Sequence, residues 1–188
     1  MTDVTQISLA IVIGSLRKES FSRRIANALA DMLPASVLAR VVEIGDLPLY
    51  NPDLDTAAPP APWVAFRAAI EASDAVLFVT PEHNRSMPAA LKNALDVGSR
   101  PYGKNKWSGL PGAVISTSTG VLGGFGANHH LRQSLVPLGV PTLQQPEAYI
   151  GNAASLLSDG GGFANESTRA FFESFLANFI AWVERHSA

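Results

Sequence analysis

Three near-continuous apolar segments constrain the fold of this chain more than any other feature of its sequence. They are ISLAIVI at 7–13, AVLFVT at 75–80 and AVIST at 113–117. Short runs of this kind, without alternating polar residues, are typical of strands that are buried on both faces. Such strands belong to parallel sheets that carry helices on each side. The three segments therefore predict an α/β protein built around a parallel sheet.

The segments between these strands have the periodicity of helices. Ile25, Leu29 and Met32 recur at helical spacing within 20–33, and charged residues occupy the other positions. Further helices are predicted at 63–73, 88–98, 124–136 and 166–185, and further strands at 37–44 and 140–145. The regular alternation, without internal repeat or linker, predicts one three-layer domain over residues 1–188 with helices on both faces of the sheet.

Composition excludes several functional classes. The formal net charge of −2 argues against a nucleic-acid partner and against an acidic membrane surface. The chain has no cysteine, which excludes disulfides, thiolate catalysis and cysteine-held metal clusters. The first apolar segment is too short to span a bilayer and is preceded by acidic Asp3, so a cytoplasmic protein is expected.

Polar or glycine-rich clusters follow Ile13, Thr80 and Ile115, where three of the predicted strands end. Parallel α/β folds bind ligands outside the carboxyl ends of their strands, so these clusters mark the predicted site. The first cluster, GSLRKESFS at 14–22, combines a turn glycine, serine hydroxyls, Arg17 and the start of a helix. This combination favours a phosphate monoester. An ordinary helix N-cap with spare serines is the alternative.

Other phosphate and catalytic motifs are absent. The sequence contains neither G-x-G-x-x-G nor G-x-x-x-x-G-K-[ST], which argues against a dinucleotide fold and a nucleotide-hydrolase loop. G-x-S-x-G is also absent, which argues against a serine hydrolase. His129 and His130 are adjacent on a predicted helix, about 100° apart, and this spacing does not allow them to chelate one metal. No metal site is predicted.

The second and third clusters favour a flat ligand. In PEHNRSMP at 81–88, Asn84 and neighbouring amides could hydrogen-bond a planar heterocycle, although His83 alone is more typical of a turn. Lys92 and Asp96 further along are more typical of a surface helix pair. The third cluster, within 116–133, supplies hydroxyls and glycines that permit close backbone approach. Together the clusters fit FMN better than a dinucleotide.

These motifs resemble the NADPH-dependent FMN reductase family, which includes bacterial quinone, chromate and azo-dye reductases. GSLRKESFSRRIANAL, PEHNRSMPAALKNALDVGSRP and STGVLGG occur in that order, and the resemblance runs from about residue 7 to about residue 150. It implies a flavodoxin-like three-layer sandwich whose five-stranded parallel sheet has the order 2-1-3-4-5. It also implies that FMN is bound non-covalently.

The resemblance assigns three groups of cofactor-binding residues. The phosphate group comprises Ser15, Leu16, Arg17, Ser20, Phe21 and Ser22. The group at the isoalloxazine edge comprises Pro81, Glu82, His83 and Asn84. The contacts from the fourth strand are Ser116, Thr117 and Ser118.

The implied reaction is ping-pong hydride transfer. NADPH or NADH delivers a hydride to flavin N5 and leaves, and a quinone, azo compound, chromate or free flavin then takes two electrons. Because the flavin carries this chemistry, no side chain is predicted to be catalytic. The partners expected are a small-molecule electron acceptor and further copies of the chain, as a homodimer or homotetramer, with no membrane partner.

Some positions depart from the family pattern. His83 stands where the family usually has Tyr, and Val97 where it favours Trp. Arg85 occupies a position that is usually small or neutral, and it is predicted to bind substrate by attracting the phosphates of NADPH or an anionic acceptor. Gly126 and His129 replace an Arg and a Tyr that support tetramer contacts in some relatives.

Two other functions are compatible with such a fold. A flavodoxin-type electron shuttle would not oxidise NADPH directly, and the small net charge together with Arg17 in the phosphate loop argues against it. A flavin-free binding module would be colourless and would ignore added FMN.

Overall fold

The computed structural model describes residues 6–186 and contains a five-stranded parallel sheet. Its strands are β1 (Ile7–Ile13), β2 (Val37–Val42), β3 (Ala75–Pro81), β4 (Gly112–Thr117) and β5 (Ala148–Ile150). They are arranged in the order β2-β1-β3-β4-β5, and every neighbouring pair is parallel. The flavodoxin-like topology is confirmed.

Five helices cover the two faces of this sheet. They are α1 (Phe21–Met32), α2 (Ala61–Glu71), α3 (Ala89–Gly98), α4 (Phe125–Leu135) and α5 (Glu166–His186), with short 3₁₀ turns at Pro52–Leu54 and Ala153–Leu156. Helices α1 and α5 pack in one core cluster, and α2, α3 and α4 pack in another on the opposite side. The three predicted layers are therefore present.

Side chains of the central strands alternate between these two clusters. In β1, Leu9 and Ile11 pack with α1 and α5, while Ala10 and Val12 pack on the other side. Both faces of the strand are covered, so both sets of positions must be apolar. Full burial of a Leu or Ile side chain contributes roughly 1.5–3 kcal/mol. This double burial explains the continuous apolar runs of the sequence.

The position predicted for the last strand was wrong. A strand was expected at 140–145, but β5 is Ala148–Ile150. The 140–145 segment touches the sheet at one bridge, where Gly112 N donates to Pro141 O at 3.0 Å and Leu143 N donates to Gly112 O at 2.8 Å. Pro141 has no N–H to continue the ladder. Val140 and Leu143 are nevertheless buried, in different clusters, which explains the strand-like pattern of the sequence.

The carboxyl ends of β1, β3 and β4 lie side by side because these strands are adjacent in the sheet. The chain leaves each of them through one of the polar clusters: residues 14–20 form the first loop, 82–88 the second loop and 118–124 the third loop. The predicted meeting of the three clusters at one edge is confirmed. Across residues 6–186, none of the helices has the length and apolar character needed to cross a membrane.

Candidate active site

A cavity of about 210 Å³ lies where the three loops meet. From the first loop and the start of α1 it is lined by Ser15, Arg17, Ser20, Phe21 and Ser22. From β3 and the second loop it is lined by Pro81, Glu82 and His83. From β4 and the third loop it is lined by Thr117, Ser118 and Thr119. Most of the predicted cofactor-binding residues are thus brought together.

The first loop presents hydrogen-bond donors to this cavity. Ser20 is the N-cap of α1, because its Oγ accepts a hydrogen bond from Arg23 N at 3.1 Å. The N–H groups of Phe21 and Ser22, in the first turn of α1, have no acceptor within residues 6–186. Arg17 has no ion-pair partner in the same part of the chain. Free N–H groups, the helix dipole and this guanidinium all favour an anion.

A buried hydrogen bond links the first loop's helix to β4. The hydroxyls of Ser22 and Thr117 lie 3.0 Å apart, and either can donate. Both residues are almost fully buried, with exposures of 1% and 2%. Because both hydroxyls face the cavity from different elements, their bond fixes the distance between α1 and β4 at the site.

The second loop contains a tight turn that begins at His83, a residue that the sequence alone had marked as more typical of a turn. His83 N donates to Ser86 O at 2.9 Å, and Ser86 N donates to His83 O at 3.0 Å. Between them, Asn84 and Arg85 have φ values of +50° and +65°. Positive φ at both central positions defines a type I′ turn, for which glycine is strongly favoured at one or both positions. Asn tolerates this geometry, whereas Arg adopts it with strain.

Helix α4 holds the second loop. Glu82 Oε2 accepts a hydrogen bond from Ala127 N at 3.0 Å, in the first turn of α4. Ser86 Oγ lies 2.7 Å from His130 Nδ1, one helical turn further along. His129 points elsewhere, with its Nε2 2.9 Å from the Tyr149 hydroxyl. The two adjacent histidines therefore form hydrogen bonds with different residues.

Several predicted site residues do not line the cavity. Ser116 is fully buried, and its Oγ donates to Gly123 O at 2.7 Å while accepting from Asn128 Nδ2 at 3.2 Å. Strand alternation explains this, since Thr117 faces the cavity and its neighbour must face the other side. Leu16, Asn84 and Arg85 are exposed and lie outside the lining. Their roles stay predictions.

Two glycines of the third loop and Gly151 allow close packing within the chain. Gly123 and Gly124 have φ values of +61° and +73°. A Cβ on Gly123 would collide with the backbone of Tyr149, and one on Gly151 would lie 2.6 Å from Val121 O. The close approach is therefore between the third loop and β5 together with Gly151, the residue that follows it.

Comparison with known proteins decides the family. The model of the NADPH-dependent FMN reductase family matches residues 7–155. The chain belongs to the NADPH-dependent FMN reductase family. It is therefore an oxidoreductase, and the expectation of FMN as cofactor with NAD(P)H as co-substrate is confirmed at the level of the family.

Two curated relatives and one solved structure are similar to this chain over nearly its whole length. A quinone reductase from Pseudomonas putida is 59% identical over 181 residues, 96% of this chain and 97% of the relative. A 2-hydroxy-1,4-benzoquinone reductase from Burkholderia sp is 43% identical over 94% of this chain and 96% of its own. The solved structure of FerB, a flavoenzyme NAD(P)H:(acceptor) oxidoreductase from Paracoccus denitrificans, has a TM-score of 0.91 at 40% identity and covers 96% of this chain and 98% of its own.

The cavity fits the cofactor of the NADPH-dependent FMN reductase family. A phosphate monoester requires N–H donors and positive charge, which α1 and Arg17 offer, and hydroxyls, which Ser15, Ser20 and Ser22 offer. Thr119 also lines the cavity and was missed from the sequence. The signal for it was the repeat in STST, since Thr119 lies two residues beyond Thr117.

A larger cavity, about 590 Å³, lies at the opposite end of the sheet. It is bordered by Asp74 and Pro111, which immediately precede β3 and β4, and by Lys104 and Lys106. In parallel α/β folds the ligand is found at the carboxyl ends of the strands. The smaller cavity is also lined by Phe21 and Ser22, whose N–H groups have no acceptor in the described part of the chain, so it is the candidate site for the family's cofactor.

Polar side chains of α4 and of residues 147–149 form a cluster in which two pKa values are shifted. Burial, and secondarily a 2.6 Å hydrogen bond to Glu147 Oε1, raises the pKa of Tyr149 to about 12. The hydroxyl of Tyr149 therefore stays protonated and donates to Glu147, so His129 Nε2–H donates to it. Burial lowers the pKa of Arg132, which donates from Nε to Asn128 Oδ1 at 2.8 Å.

Proposed function

We propose that the chain is an FMN-dependent NAD(P)H oxidoreductase that reduces quinones by a ping-pong cycle. Azo compounds, chromate and free flavin are proposed as further acceptors. The observation that carries the proposal is the cavity at the carboxyl ends of β1, β3 and β4, which is lined by the first turn of α1 and by the cation of Arg17. The 59% identity to a protein named quinone reductase supports the acceptor class.

When bound, FMN supplies the redox chemistry, because its N5 accepts a hydride from NAD(P)H and it returns two electrons to the acceptor. The residues of this chain would bind FMN and orient it. In the proposal, the phosphate is held by the first loop and the start of α1, through Ser15, Leu16, Arg17, Ser20, Phe21 and Ser22. Pro81, Glu82, His83 and Asn84 border the ring, and Thr117 and Ser118 contact the cofactor from β4, with Ser116 beneath them.

Arg85 is proposed to bind the phosphates of NADPH or an anionic acceptor. Its side chain is 73% exposed, and its nearest carboxylate, Glu82 Oε1, is 3.4 Å away, so the guanidinium is available to a visiting ligand. Loss of one solvent-exposed ion pair of this kind corresponds to roughly a two- to fivefold change in affinity. Arg85→Ala should therefore raise the KM for NADPH, and unchanged KM values for NADPH and acceptor would remove Arg85 from the proposal.

Spectroscopy and kinetics test the proposed function. Protein saturated with FMN is mixed anaerobically with NADPH, and rapid loss of the flavin absorbance at about 450 nm is expected. Steady-state rates with a benzoquinone should give parallel double-reciprocal lines, as a ping-pong cycle requires. Colour that persists with NADPH would identify an electron shuttle, and calorimetry without heat of FMN binding would refute the cofactor site. Size-exclusion chromatography with light scattering tests the homodimer or homotetramer that we also propose.

A further inference from the structure

The turn at His83–Ser86 lies in strained geometry and is held from outside its own loop. Asn84 and Arg85 both have positive φ, and neither is glycine. A type I′ turn without glycine is unfavourable by itself, so neighbouring contacts must offset the strain. Those contacts come from the first two turns of α4.

The carboxylate of Glu82 acts as a helix cap supplied by another segment. The N-cap position of α4 is Gly124, which makes no side-chain hydrogen bond to the helix. Glu82 Oε2 accepts from Ala127 N at 3.0 Å instead, and its side chain is only 13% exposed. A negative charge at the positive end of a helix is favourable. This carboxylate is therefore engaged by α4, although Glu82 lines the cavity.

Gly126 makes the close contact between α4 and the turn possible. A Cβ at this position would lie 2.8 Å from Arg85 O and 2.9 Å from Glu82 Oε2. The φ of Gly126 is not positive, so its backbone conformation does not require glycine. Glycine is required because a Cβ would have no room. Glycine within a helix is otherwise unfavourable relative to alanine. The helix is therefore weakened at the point where the turn rests on it.

We propose that Glu82 and Gly126 are positioning residues that hold the backbone of residues 82–86 against α4 and thereby set the affinity for FMN. The inference rests on the proposed function, which places Glu82, His83 and Asn84 at the ring edge. Glu82 acts through Ala127 and the turn, without a contact between its carboxylate and the flavin. Ser86, 2.7 Å from His130, is the second attachment of the same turn.

Gly126→Ala tests the space requirement, with Gly120→Ala as a matched control in the third loop. A Cβ on Gly120 meets no other atom of residues 6–186 within 4 Å, and the φ of Gly120 is not positive. Gly126→Ala should weaken FMN binding about tenfold in a fluorescence titration, because its Cβ would displace the turn and the Glu82 carboxylate from α4. Gly120→Ala should stay within about twofold of the parent chain. Wild-type FMN affinity in Gly126→Ala would overturn the proposal.

Glu82→Ala and Glu82→Gln test whether the hydrogen bond from Ala127 N to Glu82 holds the turn against α4. The glutamine retains an oxygen that accepts from Ala127 N, so it should lose about threefold in FMN affinity where alanine loses about tenfold. Glu173→Ala, at an exposed position on α5, is the control for loss of a carboxylate. Equal losses in the alanine and glutamine variants would place the effect in a direct charge interaction and refute the positioning role. If Glu82→Ala does not fold, the FMN affinity of Gly126→Ala alone tests the positioning role.

A measurement without flavin separates this inference from the proposed function. Hydrogen exchange at the Ser86 amide reports on the turn, because that amide donates to His83 O at 3.0 Å. Exchange should be faster in Gly126→Ala and Glu82→Ala than in the parent chain, with FMN absent. Unchanged exchange would refute the holding role. Faster exchange in a protein that binds no FMN would uphold the role of the two residues in the turn and refute only the proposed function.

Discussion

Removing the buried carboxylate of Asp55 should destabilise the fold strongly. Asp55 and Arg67 form a two-pronged ion pair with distances of 2.9 and 2.8 Å, and their side chains are 5% and 9% exposed. The pair attaches the long connection after β2 to α2. Asp55→Ala would leave the guanidinium of Arg67 buried and without its carboxylate, which is costly in a low-dielectric environment.

The magnitude follows from what Arg67 retains. Its Nε still donates to Val97 O at 2.9 Å, and its guanidinium carbon lies 5.5 Å from the centre of the Trp63 ring. Breaking a buried pair costs about 3–5 kcal/mol, and because these contacts remain, the expected loss of stability is about 3 kcal/mol. For a chain of this size that loss corresponds to a thermal midpoint lower by about 6–12 °C.

Urea unfolding followed by circular dichroism measures this loss. The control is the Arg169–Glu173 pair on α5, where side-chain exposures are 59% and 53% and Glu173→Ala should cost only about 0.3–0.5 kcal/mol. The double variant Asp55→Leu with Arg67→Met should recover most of the stability, because it removes both charges together. A loss below about 1 kcal/mol for Asp55→Ala, equal to the control, would refute the reasoning from burial.

Three further predictions concern the site, the core and alkaline pH. Arg17→Ala should weaken FMN binding about tenfold and leave riboflavin binding unchanged, as measured by calorimetry, because only FMN carries the phosphate. Gly98→Ala should lower the free energy of unfolding by about 1–3 kcal/mol, since its Cβ would collide with the buried indole of Trp107. The pKa of Tyr149 is about 12 in the folded state and 10.0 ordinarily, so the protonated hydroxyl stabilises the fold. This contribution to the free energy of unfolding is complete below pH 10 and is lost as pH rises towards 12. Urea midpoints across that range should fall more steeply for the parent chain than for Tyr149→Phe, and identical slopes would contradict this assignment.

Sequence patterns predicted the three layers and the location of the site because both depend on residues that are close together in the chain. The core stripe of α5, with Phe172, Phe175 and Phe179, is buried as its spacing predicted. Ser20 at the start of α1 is an N-cap, and the surface pair of Lys92 and Asp96 is 2.6 Å apart. In each case a pattern within one element determines which way its side chains face.

The strand expected at 140–145 shows what local sequence patterns could not predict. Val140 and Leu143 are apolar and buried, so their burial alone could not distinguish a strand from an irregular segment. Whether that segment joins the sheet depends on hydrogen bonds to Gly112, about thirty residues away in the chain. Ser116 is a related case, since only the register of β4 places its hydroxyl under the third loop and Thr117 in the cavity.

The sequence by itself determined a parallel α/β sandwich with three polar loops at one edge of its sheet. Apolar periodicity and strand ends are local properties of the chain, and the adjacency of strands follows from few topological rules. Only the tertiary structure decided that Glu82 caps α4, that Gly126 makes room for the turn and that Ser22 meets Thr117. These contacts join residues that are distant in sequence, and their geometry depends on how whole elements pack against one another.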